Sequence, residues 1–201
     1  MDLSTMRTLV RRDLKDEDNS NYRWQDNEID RAIRRAVAEL SSYVPREMKS
    51  VVATTDGSRD IDIAALADRV SVDRVEFPAG ETPRRFQRFI FYADTITLTG
   101  DTGGDGENCY IYWGKVHTLD GSTSTIPSHL EDVLALGAAA YAVLAQSQYR
   151  SDIAGIGGDR ADTDYQSWGT AMLKEFKSQL KRFGRRKKLK LGTLYTGDST
   201  E

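Results

Sequence analysis

Cysteine and histidine are scarce in this sequence, which contains one cysteine, Cys109, and two histidines, His117 and His129. A single cysteine cannot form an intrachain disulfide, and the two histidines lack the spacing of a structural zinc site. We expect both histidines to lie at the surface or to cap secondary structure. No metal or other cofactor is expected, and stability must come from packing or from neighbouring subunits.

Long apolar runs are also missing. The most apolar stretch, residues 133–145, contains Gly137 and follows Glu131 and Asp132. It is shorter than the roughly 18 apolar residues that a membrane-spanning helix needs. The N-terminus has no basic segment followed by an apolar one, which argues against a signal peptide. We therefore expect a soluble protein that is made in the cytoplasm and has no membrane partner.

The sequence also lacks the motifs of common enzyme sites. Residues 155–158, Gly-Ile-Gly-Gly, resemble a phosphate-binding loop in glycine content only, because they follow a predicted helix and no matching lysine comes after them. Asp101, Asp105 and Glu107 crowd one glycine-rich turn, where exposed carboxylates are mostly solvated. We expect that the protein is not an enzyme. An enzyme site in the β-rich part would need a concave pocket with convergent polar groups.

What the sequence does contain is an uneven distribution of charge. The net charge of the chain is −3, yet residues 171–190 carry nine Lys or Arg against the single acid Glu175. That segment therefore has a charge of +8, and the rest of the chain has −11. A basic end on an acidic body influences association with a partner more than it influences the fold.

The N-terminal part of the chain predicts two helices. Apolar spacing indicates a short first helix over residues 3–14. The second helix ends before Pro45, because the residue preceding a proline is pushed out of helical geometry. At the start of this helix, with Gln25 as the cap, Trp24 is expected to pack on Ile29 as a hydrophobic staple.

After Pro127 the sequence returns to a helical pattern. Small apolar residues between 130 and 145 form a face that allows close approach of another helix. A loop rich in Gly and Asp, residues 151–164, separates this helix from a last amphipathic helix. Gly184 is the predicted end of that last helix.

Between the two helical parts the pattern changes to short β-rich runs separated by turn residues. Ile61 and Ile63, like Tyr110 and Tyr112, alternate with other residues as a half-buried strand requires. The sequence therefore predicts an antiparallel β lobe that is inserted between helices.

These patterns predict an α+β fold. We expect an α-helical bundle of about four helices, formed by residues 1–48 and 126–184. The small antiparallel β lobe comprises residues 49–125, and residues 185–201 form an extended C-terminal tail.

The predicted tail interleaves basic and apolar residues. Its basic residues are Arg185, Arg186, Lys187, Lys188 and Lys190, and its apolar residues are Leu189, Leu191, Leu194 and Tyr195. The basic residues could neutralise nucleic-acid phosphates, pair with acids on a protein partner, or simply be solvated. A tail that binds only phosphates does not need the apolar residues, whereas a tail that docks into a protein crevice does. The composition therefore favours a protein partner.

The layout as a whole resembles the head-to-tail connector adaptor, or head-completion, proteins of tailed bacteriophages. The matching features are the short first helix, the helix start Trp24-Gln25-Asp26-Asn27-Glu28-Ile29, the inserted β lobe, the helix over residues 128–149, and the amphipathic last helix with its basic tail. Many such proteins have Ser or Thr after the Trp, where this chain has Gln25.

The resemblance implies a structural protein of the virion neck, at the head–tail interface, which is assembled in the host cytoplasm. Such a protein forms a ring, dodecameric in this family, beneath the portal; the ring extends the DNA channel and links the head to the tail. The implied partners are the portal protein, neighbouring adaptor subunits and the next neck or tail component. Genomic DNA would pass through the channel without sequence-specific binding, and the C-terminal tail would dock into the portal.

A second interpretation follows from the charge alone. The basic last helix and tail could make the chain a nucleic-acid-binding accessory protein, whose affinity for duplex DNA would fall steeply with salt.

Overall fold

The computed structural model describes residues 1–100, 103–154 and 161–187 of the chain. In these residues the chain forms four α-helices and two small antiparallel β-sheets. The predicted α+β class is therefore confirmed.

The helices are α1 (Leu3–Leu14), α2 (Asp26–Tyr43), α3 (Glu131–Ala154) and α4 (Ala161–Lys187), and a short 3-10 helix, Ser128–Leu130, precedes α3. The strands are β1 (Arg46–Ala53), β2 (Asp60–Asp62), β3 (Arg69–Glu76), β4 (Phe86–Gln87), β5 (Phe89–Tyr92), β6 (Thr95–Leu98) and β7 (Asn108–Lys115). All of these strands lie between α2 and α3 in the sequence, so the β part is an insertion between helices.

Two predicted boundaries around α4 are wrong. The helix does not end at Gly184 but continues to Lys187, so Arg185, Arg186 and Lys187 are helical rather than extended. A Cβ at position 184 would be 2.9 Å from the carbonyl oxygen of Tyr43 at the end of α2, which explains why a glycine occupies this position inside the helix. The glycine therefore permits close packing instead of ending the helix.

The glycine-rich connection is also shorter than predicted. α3 extends to Ala154 and α4 begins at Ala161, so residues 151–154 and 161–164 are helical.

The starts of α1 and α2 follow from local hydrogen bonds. The Asp2 carboxylate accepts the Thr5 backbone N–H at 2.8 Å. Hydrogen bonds from backbone and side-chain donors lower the pKa of this carboxylate to about 2. At α2, the Gln25 backbone N–H donates to the Glu28 carboxylate at 2.7 Å, which supports Gln25 as the cap.

The two residues of the predicted staple are both buried in the same core. Trp24 and Ile29 belong to the cluster of apolar residues that the helices enclose. The indole N–H of Trp24 donates to the carbonyl oxygen of Ala142 in α3 at 3.2 Å. The contact between Trp24 and Ile29 itself stays a prediction, while the position of Trp24 is explained by its bond to α3.

The helical core is organised around α3, which contacts α1, α2 and α4. Many of its buried residues are small, as the sequence indicates, and at Gly137 the helix comes so close to α4 that a Cβ would lie 2.6 Å from the Phe176 ring. The segment Ser128–Ser147 meets the length and composition criteria of a membrane-spanning helix, which the sequence analysis did not expect. In this fold 61% of that segment is buried, as in the core helix of many globular proteins.

The β part is a two-layer structure with its own core. One sheet has the strand order β1-β7-β3-β4 and the other has the order β2-β6-β5. The inner faces of both sheets contribute to one apolar cluster, which contains Ile61, Ile63, Val75, Phe77, Ile96, Leu98, Cys109, Ile111 and Trp113. Because the two sheets pack through their inner faces, their outer faces point to opposite sides of the β part.

The two histidines differ in their environment. His129 is exposed, as predicted, with its ring 5.9 Å from that of Phe183. His117 is only 4% exposed, so a surface position is wrong for this residue, whereas its contact with Val44, the C-cap residue of α2, agrees with the capping alternative. Its Nε2 lies 3.0 Å from the Val44 carbonyl oxygen, and its Nδ1 lies 2.9 Å from that of Thr125. The chain returns here from β7 to the helices, and the imidazole provides partners for buried backbone groups.

Candidate interaction surfaces

A cluster of polar residues around Arg11 stabilises the fold. Arg11 is buried and donates to the carboxylates of Asp16 at 2.8 Å and Asp26 at 2.7 Å, and to the carbonyl oxygen of Trp24 at 3.0 Å. The ring of Tyr22 covers its guanidinium at 3.3 Å. These contacts tie α1 to the segment that leads into α2. The cluster therefore accounts for the buried charges without invoking a ligand.

Among the described residues, Cys109 and Asp105 have roles in the fold that account for them. Cys109 is fully buried, and burial raises the pKa of its thiol to about 11, so the thiol is protonated and unreactive at neutral pH. The Asp105 carboxylate accepts the Glu107 backbone N–H at 3.0 Å within its turn, and Asp101 lies outside the described residues. Within the described ranges, no group of three or more His, Cys, Asp or Glu is placed to hold a metal ion.

A groove of about 880 Å³ lies where α4 meets the first sheet. Its walls combine apolar and charged side chains. They include Tyr43, Met48, Val72, Arg74, Tyr112 and the backbone at Gly184. The backbone of α4 at Gly184 is therefore close to this sheet.

The outer face of the first sheet carries aromatic and charged side chains. Lys49 in β1 places its Nζ 3.4 Å from the ring centroid of Tyr110 in β7. In β3, the Arg74 guanidinium lies 5.0 Å from the Phe86 ring. Val51 is 59% exposed and Phe86 is 47% exposed on the same face.

The first sheet also carries acids, of which Glu47 in β1 and Asp73 in β3 are exposed and line the groove. Glu76 is buried and already accepts the Tyr112 hydroxyl at 2.6 Å and the Gly80 backbone N–H at 3.1 Å. Burial, together with this bond to a carboxylate, raises the pKa of Tyr112. Glu47 lies at the far end of the face, beside Gly114, which packs against Pro45.

The outer face of the second sheet carries acidic and apolar side chains. Asp60 and Asp62 in β2 are exposed and lie on the same side as Ile90 and Tyr92 in β5. The Thr97 hydroxyl, between them in β6, donates to Asp60 at 2.5 Å. Ile90 is 61% exposed and Tyr92 is 83% exposed. This face is thus acidic on one strand and apolar on the other.

The last helix separates apolar from basic residues. Phe176 and Leu180 are fully buried against the helical core. Lys174, Lys181 and Arg182 are exposed. Lys181 and Arg182 follow Lys174 by seven and eight residues, about two helical turns, so the three basic side chains lie along one exposed side of α4.

The predicted docking residues are only partly described. Arg185, Arg186 and Lys187 form the last turn of α4. The remaining predicted docking residues, Lys188, Leu189, Lys190, Leu191, Leu194 and Tyr195, lie outside the described residues.

The two outer sheet faces were not predicted from the sequence as candidate sites. The available signal was the run Phe89-Ile90-Phe91-Tyr92, in which apolar residues occupy both sides of a strand instead of alternating with polar ones.

No protein-family model and no curated protein matches this chain.

Proposed function

We propose that this chain is a structural subunit of the neck of a tailed bacteriophage virion. It forms a ring beneath the portal, dodecameric as the resemblance implies, which extends the DNA channel and links the head to the tail. In this proposal the four helices act as a bundle that forms the wall of the ring, and the β part contacts adjacent subunits or the next neck component.

The observation that carries the proposal is the order of the elements. Two helices, two inserted sheets and two further helices follow one another, and the last helix leads into a basic segment with several leucines. This order matches the layout expected of an adaptor. Lys181 and Arg182 in α4 support the same function, because they are exposed instead of being buried in the core.

The C-terminal segment is the proposed contact with the portal. Leu189, Leu191, Leu194 and Tyr195 would be the apolar anchors, and the basic residues would pair with acids of the portal. A few apolar anchors typically contribute most of the binding energy of an interface. Because every subunit of the ring contributes one segment, weak single contacts add up to durable attachment.

The charge of the rest of the chain suits a DNA channel. The residues outside 171–190 carry a charge of −11. An acidic wall repels phosphates and lets DNA slide, whereas a basic wall would retain it. A ring whose lumen is lined mainly by Lys and Arg would contradict this part of the proposal.

Deleting residues 188–201 tests the proposed attachment. The full chain, mixed with the portal ring of the same virus, should appear in electron microscopy as a second ring coaxial with the portal. The truncated chain should lose this ring while keeping the melting temperature of the full chain. The matched control is Lys174→Ala, which removes one exposed charge from the middle of α4 and should leave attachment intact. If the truncated chain still binds the portal, the docking function of the tail is wrong.

A specific observation favours the second candidate function, a nucleic-acid-binding accessory protein. Lys174, Lys181 and Arg182 form an exposed basic row on α4 that leads into the basic segment. Such a protein would bind duplex DNA with an affinity that falls steeply with salt, and the triple change of these residues to Ala would abolish binding. The adaptor proposal expects little DNA affinity in either protein.

A further inference from the structure

We infer that β5 (Phe89–Tyr92) pairs with the β5 strand of a second copy of this chain. The two strands run antiparallel about a two-fold axis and join the three-stranded second sheets of both copies into one continuous sheet. Such a contact uses the free edge of β5 in both copies, so it joins two chains only. The inference applies to the free chain and does not rest on the proposed ring.

The end strands of the two sheets are β1 and β4 in the first and β2 and β5 in the second. Folded proteins protect such edges with charged side chains, prolines or very short strands. β1 carries Arg46, Glu47 and Lys49, β2 carries Asp60 and Asp62, and β4 has only 2 residues. The sequence of β5, Phe-Ile-Phe-Tyr, has none of these protections. Among the four end strands, β5 is therefore the one on which a further strand can be added.

The free edge of β5 presents backbone hydrogen-bonding groups. The Thr99 N–H donates to the Arg88 carbonyl oxygen at 3.0 Å, so Ile90, two residues further on, also bonds towards β6. The N–H and C=O groups of Phe89 and Phe91 alternate with these and point away from β6. No described strand pairs with that edge. Antiparallel pairing of Phe89 in each copy with Phe91 in the other satisfies all of these groups.

The side chains of β5 are exposed on both sides of the sheet. Ile90 and Tyr92 are 61% and 83% exposed on the outer side. Phe91 lies opposite the buried Ile96 and is therefore on the inner side, yet it is 42% exposed at the margin of the core. In the paired sheet Ile90 faces Ile90 of the second copy, and Phe91 lies beside Phe89 of that copy. Pairing thus removes apolar surface from water on both sides, which favours association.

Charge at the ends of β5 identifies the occupant as a second copy. Arg88 precedes the strand, Asp94 follows it closely, and no charged residue lies between them. Antiparallel pairing brings Arg88 of each copy opposite Tyr92 of the other and towards its Asp94. Asp94 accepts a bond from Arg69 at 2.6 Å, but 65% of its side chain is exposed to a second cation. The acids of β2 lie two strands away from this edge. β5 is therefore complementary to itself in the antiparallel orientation.

Cysteine cross-linking tests the two-fold pairing. Ile90 lies opposite itself in this register, where antiparallel strands place two Cβ atoms about 4.5–5.5 Å apart. Because the native Cys109 is buried, Ile90→Cys alone should give disulfide dimers under mild oxidation. The matched control is Asp62→Cys, on the same face of the sheet but at its other end strand, and it should stay monomeric. Absence of Ile90→Cys dimers, or equal yields from the two variants, would overturn the inference.

Charges placed on the axis provide a second test. Ile90→Lys and Ile90→Glu each put two like charges opposite one another, so each should weaken self-association by about tenfold or more in analytical ultracentrifugation. An equal mixture of the two variants should form mixed dimers again, because lysine then faces glutamate. Ala53→Lys, at an exposed position of the end strand β1, is the control and should leave self-association unchanged. A mixture that stays monomeric would contradict pairing through β5.

A different occupant of the edge would be recognised in the same experiments. If the unmodified chain is monomeric and Ile90→Lys instead abolishes its binding to the next neck component, β5 pairs with a strand of that component and the inference is wrong. Attachment to the portal is read out separately through the deletion of residues 188–201. Ile90→Lys should keep the coaxial ring on the portal, so failure of the strand pairing and failure of the neck function are distinguishable.

Discussion

At the scale of single residues, Arg11 shows how a buried charge is accommodated. Its guanidinium is surrounded by two carboxylates, a backbone carbonyl and the Tyr22 ring, and Asp16 is buried with it. A buried ion pair adds little net stability, but removing one partner leaves an uncompensated charge.

We predict that Arg11→Ala lowers the free energy of unfolding by about 3 kcal/mol, because the buried Asp16 carboxylate loses its cation. Urea unfolding followed by fluorescence measures the change. The control is the neighbouring Arg12→Ala: Arg12 is 62% exposed and lies 3.7 Å from Glu17, so its loss should cost less than about 1 kcal/mol. Equal effects of the two changes would contradict a structural role for the Arg11 cluster.

At the scale of elements, the contact between α3 and α4 depends on small residues. Gly137 in α3 faces the Phe176 ring, and Gly169 in α4 similarly leaves space for Leu144, 2.8 Å from the position of a Cβ. The glycines therefore determine how closely the two helices approach, and with it the direction in which the basic end of α4 leaves the core.

We predict that Gly137→Ala destabilises the fold by about 1–3 kcal/mol, although alanine is the better helix former, because the added methyl overlaps the Phe176 ring. Urea unfolding measures the loss. Phe176→Leu in the same chain should recover part of it by making room. Gly121→Ala, where a Cβ meets nothing within 4 Å, is the control and should have little effect. A stabilising effect of Gly137→Ala would show that the helices can separate at no cost.

At the scale of the whole molecule, His117 connects the two cores. Its backbone N–H donates to the Ser41 hydroxyl at 2.9 Å, and its ring nitrogens face carbonyl oxygens of Val44 and Thr125. These groups come from the end of α2 and from the segment that leads to α3. His117 is therefore one of the residues that hold the junction between the helical and β parts together.

We predict that His117→Ala costs about 1–3 kcal/mol of unfolding free energy, because a carbonyl oxygen at the junction loses the imidazole N–H that donates to it. Amide hydrogen exchange should accelerate in both β7 and α3, since the junction affects both cores. His129→Ala, which removes the exposed histidine, should change the free energy by no more than about 0.5 kcal/mol. Faster exchange in β7 alone would indicate that the two parts are not coupled through His117.

Much of the element order follows from local pattern. The first helix occupies the predicted residues 3–14, and the strands lie in the predicted region, because apolar spacing and turn residues act over a few residues. The end of α4 was predicted wrongly, and so was a surface position for His117. A glycine near the end of a helical pattern predicts the helix end, but Gly184 is explained by its close packing on Tyr43, which is distant in the sequence. The burial of His117 likewise depends on segments that are far apart in the sequence.

The sequence by itself determined the α+β class, the insertion of the strands between helices and the separation of a basic end from an acidic body, since composition and period are properties of the chain. Only the tertiary structure decided which charges share a surface. Lys49 and Arg74 come together because β1 and β3 both pair with β7, and their face is opposite to Asp60 and Asp62 because the two sheets bury their inner faces against each other. Strand pairing and sheet packing act between distant residues, so no local pattern could show these two faces.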